Sequence, residues 1–129
     1  MRVKLFDAAI DSKEIESWLK MRKLDFDAKA LPALGAIVPG VAAGFLRMCE
    51  GNYAVMDSII THPLQPAATR DAALSVIMQR LLIEAEALGV KNVVGFTVEP
   101  YMIQRAVSLG FRVLTGWSVL TRGSSQNEP

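Results

Sequence analysis

The sequence predicts an α/β fold with a mixed, mostly antiparallel sheet, in the order β-α-β-β-β-α-β-α-β-β. Three observations carry that expectation. Residues 34–61 hold three short apolar runs divided by the turn pairs Pro39-Gly40 and Gly51-Asn52. Leu74, Ile77, Met78, Leu81, Leu82, Ala85 and Leu88 then recur at helical spacing. "NVVGFTV" returns to a strand pattern before Glu99-Pro100 opens a further helical one.

The elements follow in order. "RVKLF", residues 2–6, alternates and is β-prone. Asp11 and Glu14 have the spacing of a capping box, which would start a helix running to about Leu24 with Ile15, Trp18 and Leu19 on one face. Residues 25–33 read as a loop or a second short helix. "LGAIV", "VAAGFLRMCE" and "YAVMDSIIT" sit close together between turn residues, so they read as an antiparallel meander.

The helix carrying Leu74 to Leu88 should stop at Gly89, which can take the left-handed conformation. Pro100 suits the first position of the next helix, where its missing N–H is not needed. Met102, Ile103, Ala106 and Val107 share one face of that helix, and Gly110 closes it. "FRVL" and "WSVL" read as two last strands around Thr115-Gly116. Residues 1–122 are expected to form a single domain, with 123–129 a polar, flexible tail.

Composition sets the boundaries. The chain has 129 residues, 51% hydrophobic and 21% charged, enough apolar material for a core and too little charge for disorder. A net charge of +1 gives no bulk reason to expect a nucleic-acid or membrane partner. The single cysteine, Cys49, rules out an intrachain disulfide and fits a reducing cytoplasm. Charges at positions 2, 4 and 7 do not read as a signal peptide. "ALPALGAIVPGVAAGFL" is broken by two prolines and three glycines, so it does not read as a membrane span.

The order and lengths of these elements resemble the GNAT N-acetyltransferase superfamily. "SIITHP" is similar to its fourth strand, "LSVIMQRLLIEAEALGV" to its long helix, and "VVGFTVEP" with "AVSLGF" to its fifth strand, fourth helix and Leu-Gly-Phe turn. "THP…ATRDAAL…A…LGV…RAVSLGFRVL" resembles small GNAT-like proteins of phages and prophages. The diagnostic stretch covers somewhat under half of the chain. Two positions depart from the family pattern. Its loop glycines fall here at Ala72 and Leu74, and the tyrosine that often serves as general acid falls at Ala106.

The resemblance implies acetyl transfer from acetyl-CoA to an amine by direct attack. It places the backbone of Ile59, Ile60 and Thr61 at the acetyl group. It places the pyrophosphate at the start of the long helix, with Thr69 as N-cap, Arg70 pairing with phosphate, and Asp71, Ala72, Ala73 and Leu74 following. Asp71 repels an anion there, and Leu74 adds bulk where the family has glycine. Ile103 joins the cofactor-binding set.

For proton transfer, three residues stand out. Asp57 lies in an apolar strand and is the amine's base, directly or through water, or else faces solvent or caps a bulge. His62, the only histidine, is a base at the cleft mouth or a loop residue before proline. Glu99 contacts substrate or caps a helix. Tyr53 and Tyr101 are the hydroxyls available to replace the missing acid, and Cys49 reads as a small buried hydrophobe. No spacing suggests a metal site. The partners implied are acetyl-CoA and a small-molecule or peptide amine, with a homodimer suggested by the apolar C-terminal strands. The rival reading is a non-catalytic GNAT-like protein that binds CoA or another protein.

Overall fold

A computed structural model describes residues 1–25, 27–116, 118 and 120–122. They fall into two compact units, Met1–Phe96 and the residues from Thr97 onward.

The first unit holds strand β1 (Lys4–Leu5), helix α1 (Ala8–Met21), a short 3-10 turn (Ala28–Ala30), strands β2 (Leu34–Val38), β3 (Ala42–Cys49) and β4 (Tyr53–Thr61), helix α2 (Ala67–Ala87) and strand β5 (Asn92–Gly95). The strands lie in the order β1-β2-β3-β4-β5. Neighbours are antiparallel from β1 to β4, as the expected meander requires, and β4 runs parallel to β5. A parallel pair needs a crossover, and α2 supplies it.

Each face of the sheet is covered by one helix. Ile15, Trp18 and Leu19 of α1 pack with Ile37, Ala43, Phe45 and Ile60, and Phe6 and Leu31 close the edge. Helix α2 lies over β2 and β3. It buries Ala73, Leu74, Ile77, Met78, Leu81 and Ala85, the helical stripe seen in the sequence. Close approach is possible because β3 carries Gly44, where a Cβ would meet Ile59 Cδ1 at 2.8 Å and Ile77 Cγ2 at 3.1 Å. Gly89 ends α2 at φ +80, with Val90 N–H donating to the Ala85 carbonyl at 3.0 Å.

Four expectations need correction. Helix α1 starts before Asp11: its N-cap is Asp7, whose side chain accepts from Ala9 N–H. Asp11 returns the contact by accepting Asp7 N–H at 2.8 Å, so the reciprocal bonding of a capping box exists one turn earlier than expected. Helix α1 also ends at Met21, not near Leu24, because Lys23 takes φ +57 and Leu24 N–H folds back to the Leu19 carbonyl at 3.0 Å. A non-glycine residue in that conformation leaves no sequence signal.

Helix α2 starts at Ala67 with Pro66 as N-cap, so Thr69 lies inside the first turn and does not cap it. Finally, β5 stops at Gly95, and Phe111–Leu114 shows no strand. In "WSVL", Trp117 and Val119 lie outside the described residues, as does the tail 123–129.

The second unit holds helix α3 (Pro100–Ser108). Pro100 is its first residue, Glu99 its N-cap, and Gly110 follows it at φ +95, all as the sequence predicts.

Candidate active site

The site begins where two parallel strands part. Strand β4 pairs with β5 only over Tyr53–Met56 opposite Asn92–Gly95. Strand β4 then runs on to Thr61, so Asp57–Thr61 has no β5 partner. Within that stretch the register with β3 slips. Phe45 faces Asp57 but Ala43 faces Ile60, two steps on one strand against three on the other. That is a β-bulge, and Ser58 within it sits at φ +54. The bulge reverses the alternation of side chains. Asp57 shares a face with Phe45, Ile59 turns to Gly44 below α2, and Ile60 joins the core beneath α1.

Residues 62–66 link this strand to α2. Because Pro66 has no N–H and Arg70 N–H makes the first intrahelical bond, to the Pro66 carbonyl at 3.0 Å, the amides of Ala67, Ala68 and Thr69 precede the helical ladder. The N-cap residue, Pro66, gives them no side-chain hydrogen bond. Thr69 and Arg70 are half-buried and Asp71 and Ala72 exposed, whereas Ala73 and Leu74 are buried on the core side. Leu74 therefore faces the sheet under α2 as part of the Ile77–Leu81 stripe. Arg70 Nε is buried without a hydrogen-bond partner. An unpaired guanidinium nitrogen beside three uncapped amides is chemically suited to a phosphate oxygen. The residues present thus fit the pyrophosphate of an acyl-CoA.

The candidate side chains are placed unequally. Asp57 Oδ2 accepts from Arg47 Nε at 3.2 Å and its Oδ1 accepts from Ser58 Oγ at 3.3 Å, at a half-exposed position. It is partnered and beside the bulge. His62 Nδ1 accepts Leu64 N–H at 3.1 Å, which in the neutral ring leaves the proton on Nε2 and no free lone pair. Its ring also lies 5.8 Å from that of Trp18. These contacts account for His62 as an organiser of the loop.

Glu99 accepts Tyr101 N–H at 3.5 Å as the N-cap of α3, in the second unit, where Ile103 is half-buried and Tyr101 exposed. Tyr53 lies at the far end of β4 opposite Cys49, with its phenol pushed above the ordinary value of 10.0, first by side-chain hydrogen bonding with Cys49 and then by charge repulsion from it. Among the described residues, no group of three or more His, Cys, Asp or Glu side chains could hold a metal, and no helix is long and apolar enough to cross a membrane.

Sequence reasoning missed Ser58, Arg47, Gln65 and Arg22. Ser58 gives no composition cue for its positive φ. The others act through contacts between residues distant in sequence, which no local pattern records.

No protein-family model matches the chain, and no curated protein matches it. Solved structures do match. An acetyltransferase from Trypanosoma brucei superposes with a TM-score of 0.61 at 10% identity, covering 94% of this chain and 99% of its own. A Mycobacterium tuberculosis protein in complex with CoA gives 0.67 at 18%, covering 93% and 76%. The aminoglycoside 6'-N-acetyltransferase of Acinetobacter haemolyticus gives 0.58 at 14%, covering 97% and 100%. These likenesses show one thing, a shared fold: the chain has the fold of the GNAT acetyltransferases.

Proposed function

We propose that the protein is an N-acetyltransferase that takes acetyl-CoA and a small-molecule or peptide amine. The observation that carries the reading is the buried, unpartnered Arg70 Nε beside the uncapped first turn of α2. The first amides of α2 and the Arg70 guanidinium hold the pyrophosphate. Thr69 supplies a further amide at that turn. Ala72, Ala73 and Leu74 contribute the helix behind it, and Asp71 an opposing charge.

Acetyl-CoA supplies an activated acyl group. Main-chain N–H groups in the bulged segment Ile59–Thr61 polarise the carbonyl, because the parting of β5 exposes that edge of β4. Asp57 receives the proton of the attacking amine, directly or through water, and Arg47 fixes its orientation. His62 keeps the loop in shape. No hydroxyl stands at Ala106 to protonate the departing thiolate, so solvent does so. That same alanine favours the rival reading, a protein without catalysis that binds CoA or another protein.

Isothermal titration with CoA and acetyl-CoA tests the proposal. Micromolar binding is expected. Arg70→Ala should weaken it about 10- to 100-fold, the range for a lost charge-assisted hydrogen bond of about 1.5–3 kcal/mol. No binding at millimolar concentration would overturn the proposal and leave the rival in its protein-binding form. Binding without thiol release across a panel of amines would leave the rival.

A further inference from the structure

Helix α1 buries its core stripe through Ile15, Trp18 and Leu19. Glu14, Trp18 and, just past its end, Arg22 fall one turn apart on a neighbouring line. All three engage residues that frame the loop into α2. Arg22 donates to the Thr61 carbonyl at 3.3 Å from both Nε and a terminal nitrogen, and to Thr61 Oγ1 at 2.7 Å. The Trp18 indole lies against the His62 ring at an interplanar angle of 34°. Glu14 accepts the Gly40 N–H, and Gly40 in turn accepts Gln65 Nε2 at 3.0 Å.

The peptide joining Thr61 to His62 is held from both ends. Its carbonyl takes Arg22, and its N–H donates to the Val41 carbonyl at 2.8 Å. A loop with no glycine, pinned at residues 61, 62 and 65, presents the edge of β4 and the start of α2 in one fixed relation. Docking α1 on the sheet requires none of these bonds, because its apolar stripe already does that.

We propose that Glu14, Trp18 and Arg22 are positioning residues for the cofactor loop, acting through Gly40–Gln65, His62 and Thr61. The inference rests on the acetyl-CoA reading above and deepens it. Fixing the loop before binding removes an ordering cost that the ligand must otherwise meet. The role therefore appears in affinity for CoA and not only in stability.

The experiment is titration with CoA of the wild type and of variants checked for folding by circular dichroism. Glu14→Ala and Arg22→Ala should each weaken CoA binding about 3- to 10-fold, the worth of one or two hydrogen bonds. Glu14→Gln should restore it, because an amide oxygen still accepts from Gly40. Arg22→Lys should restore it in part. Wild-type binding that both alanine variants retain unchanged, with only their melting temperatures lowered, overturns the positioning role and leaves the acetyl-CoA reading intact. Absence of CoA binding by the wild type overturns both together.

Discussion

Gly35→Ala is the most informative single change in the sheet. Gly35 of β2 faces Phe45 of β3 across the ladder. A Cβ at Gly35 would lie 2.4 Å from Phe45 Cδ2 and 2.5 Å from Cε2. Carbon atoms prefer about 3.5–4.0 Å, so the ring must move by about 1 Å. It has little room. Phe45 is 0% exposed, and Phe6 meets it edge-on with centroids 4.9 Å apart. Overpacking a finished core costs about 1–3 kcal/mol, and the edge-to-face pair is worth about 0.5–1.5 kcal/mol more. The expected loss is therefore near the upper end, about 3 kcal/mol. In a domain of this size about 3–5 °C of Tm goes with each kcal/mol, so the transition should fall by about 9–15 °C. Thermal and urea unfolding followed by circular dichroism read both quantities. Phe45→Leu placed in the Gly35→Ala background should recover at least about 1 kcal/mol relative to the additive expectation. A Gly35→Ala protein within about 0.5 kcal/mol of wild type would refute the close approach itself.

Four further outcomes are expected. Asp11 is 4% exposed and holds both Lys4 Nζ and Asp7 N–H at 2.8 Å. Asp11→Ala should cost about 1–3 kcal/mol in urea unfolding and Asp11→Asn less, since one acceptor survives. Ser58→Gly should stabilise the fold by about 0.5–1 kcal/mol by relieving its positive φ, and Ser58→Val should do the reverse. The Tyr53 phenol, raised above 10.0 first by the Cys49 hydrogen bond, should titrate lower in Cys49→Ala when followed by ultraviolet absorbance. Because its folded value lies above its unfolded one, that contribution to stability is present below pH 10.0 and fades as pH rises through the raised value. Lastly, Ala68→Asp should weaken CoA binding by about 10-fold or more and Ala72→Asp by less than about 3-fold, since like charge acts mainly within the first turn of a helix.

What could be read in the sequence was whatever local pattern encodes. The run 53–61 matches β4 residue for residue, because Gly51-Asn52 and His62-Pro63 bound it on both sides. The α2 stripe was legible because its period of 3.6 persists over several turns. The start of each long helix was misread for one reason. Asp11 and Thr69 are residue types that favour caps, but the chain enters those helices at Asp7 and Pro66. Of the candidate site, Arg70 was legible as the cation of a helix start. The bulge was legible only as one alternative for Asp57, and the Ser58 conformation not at all, because it is set by pairing with β3 and the need to place both Ile59 and Ile60 in apolar surroundings.

The start of α2 also changes what the missing glycines mean. Counted from Ala85 and Gly89, the family's glycines fall at Ala72 and Leu74, and a leucine there looks like an obstruction. Helix α2 already runs from Ala67. At positions 72 and 74 the amides belong to the helical ladder and offer nothing to an anion. Leu74, 6% exposed, contributes to the core beneath the helix. Glycine matters where backbone must approach a phosphate, and the amides outside the ladder are those of Ala67, Ala68 and Thr69. Two of these three carry only a methyl group. The steric objection thus moves about one turn from the place where it would count. What remains is electrostatic: Asp71, one residue past Arg70, sets a negative charge against the positive end of the helix. On the acetyl-CoA reading, the affinity of this loop would therefore rest on the Arg70 guanidinium and the first amides of α2 rather than on any absent glycine.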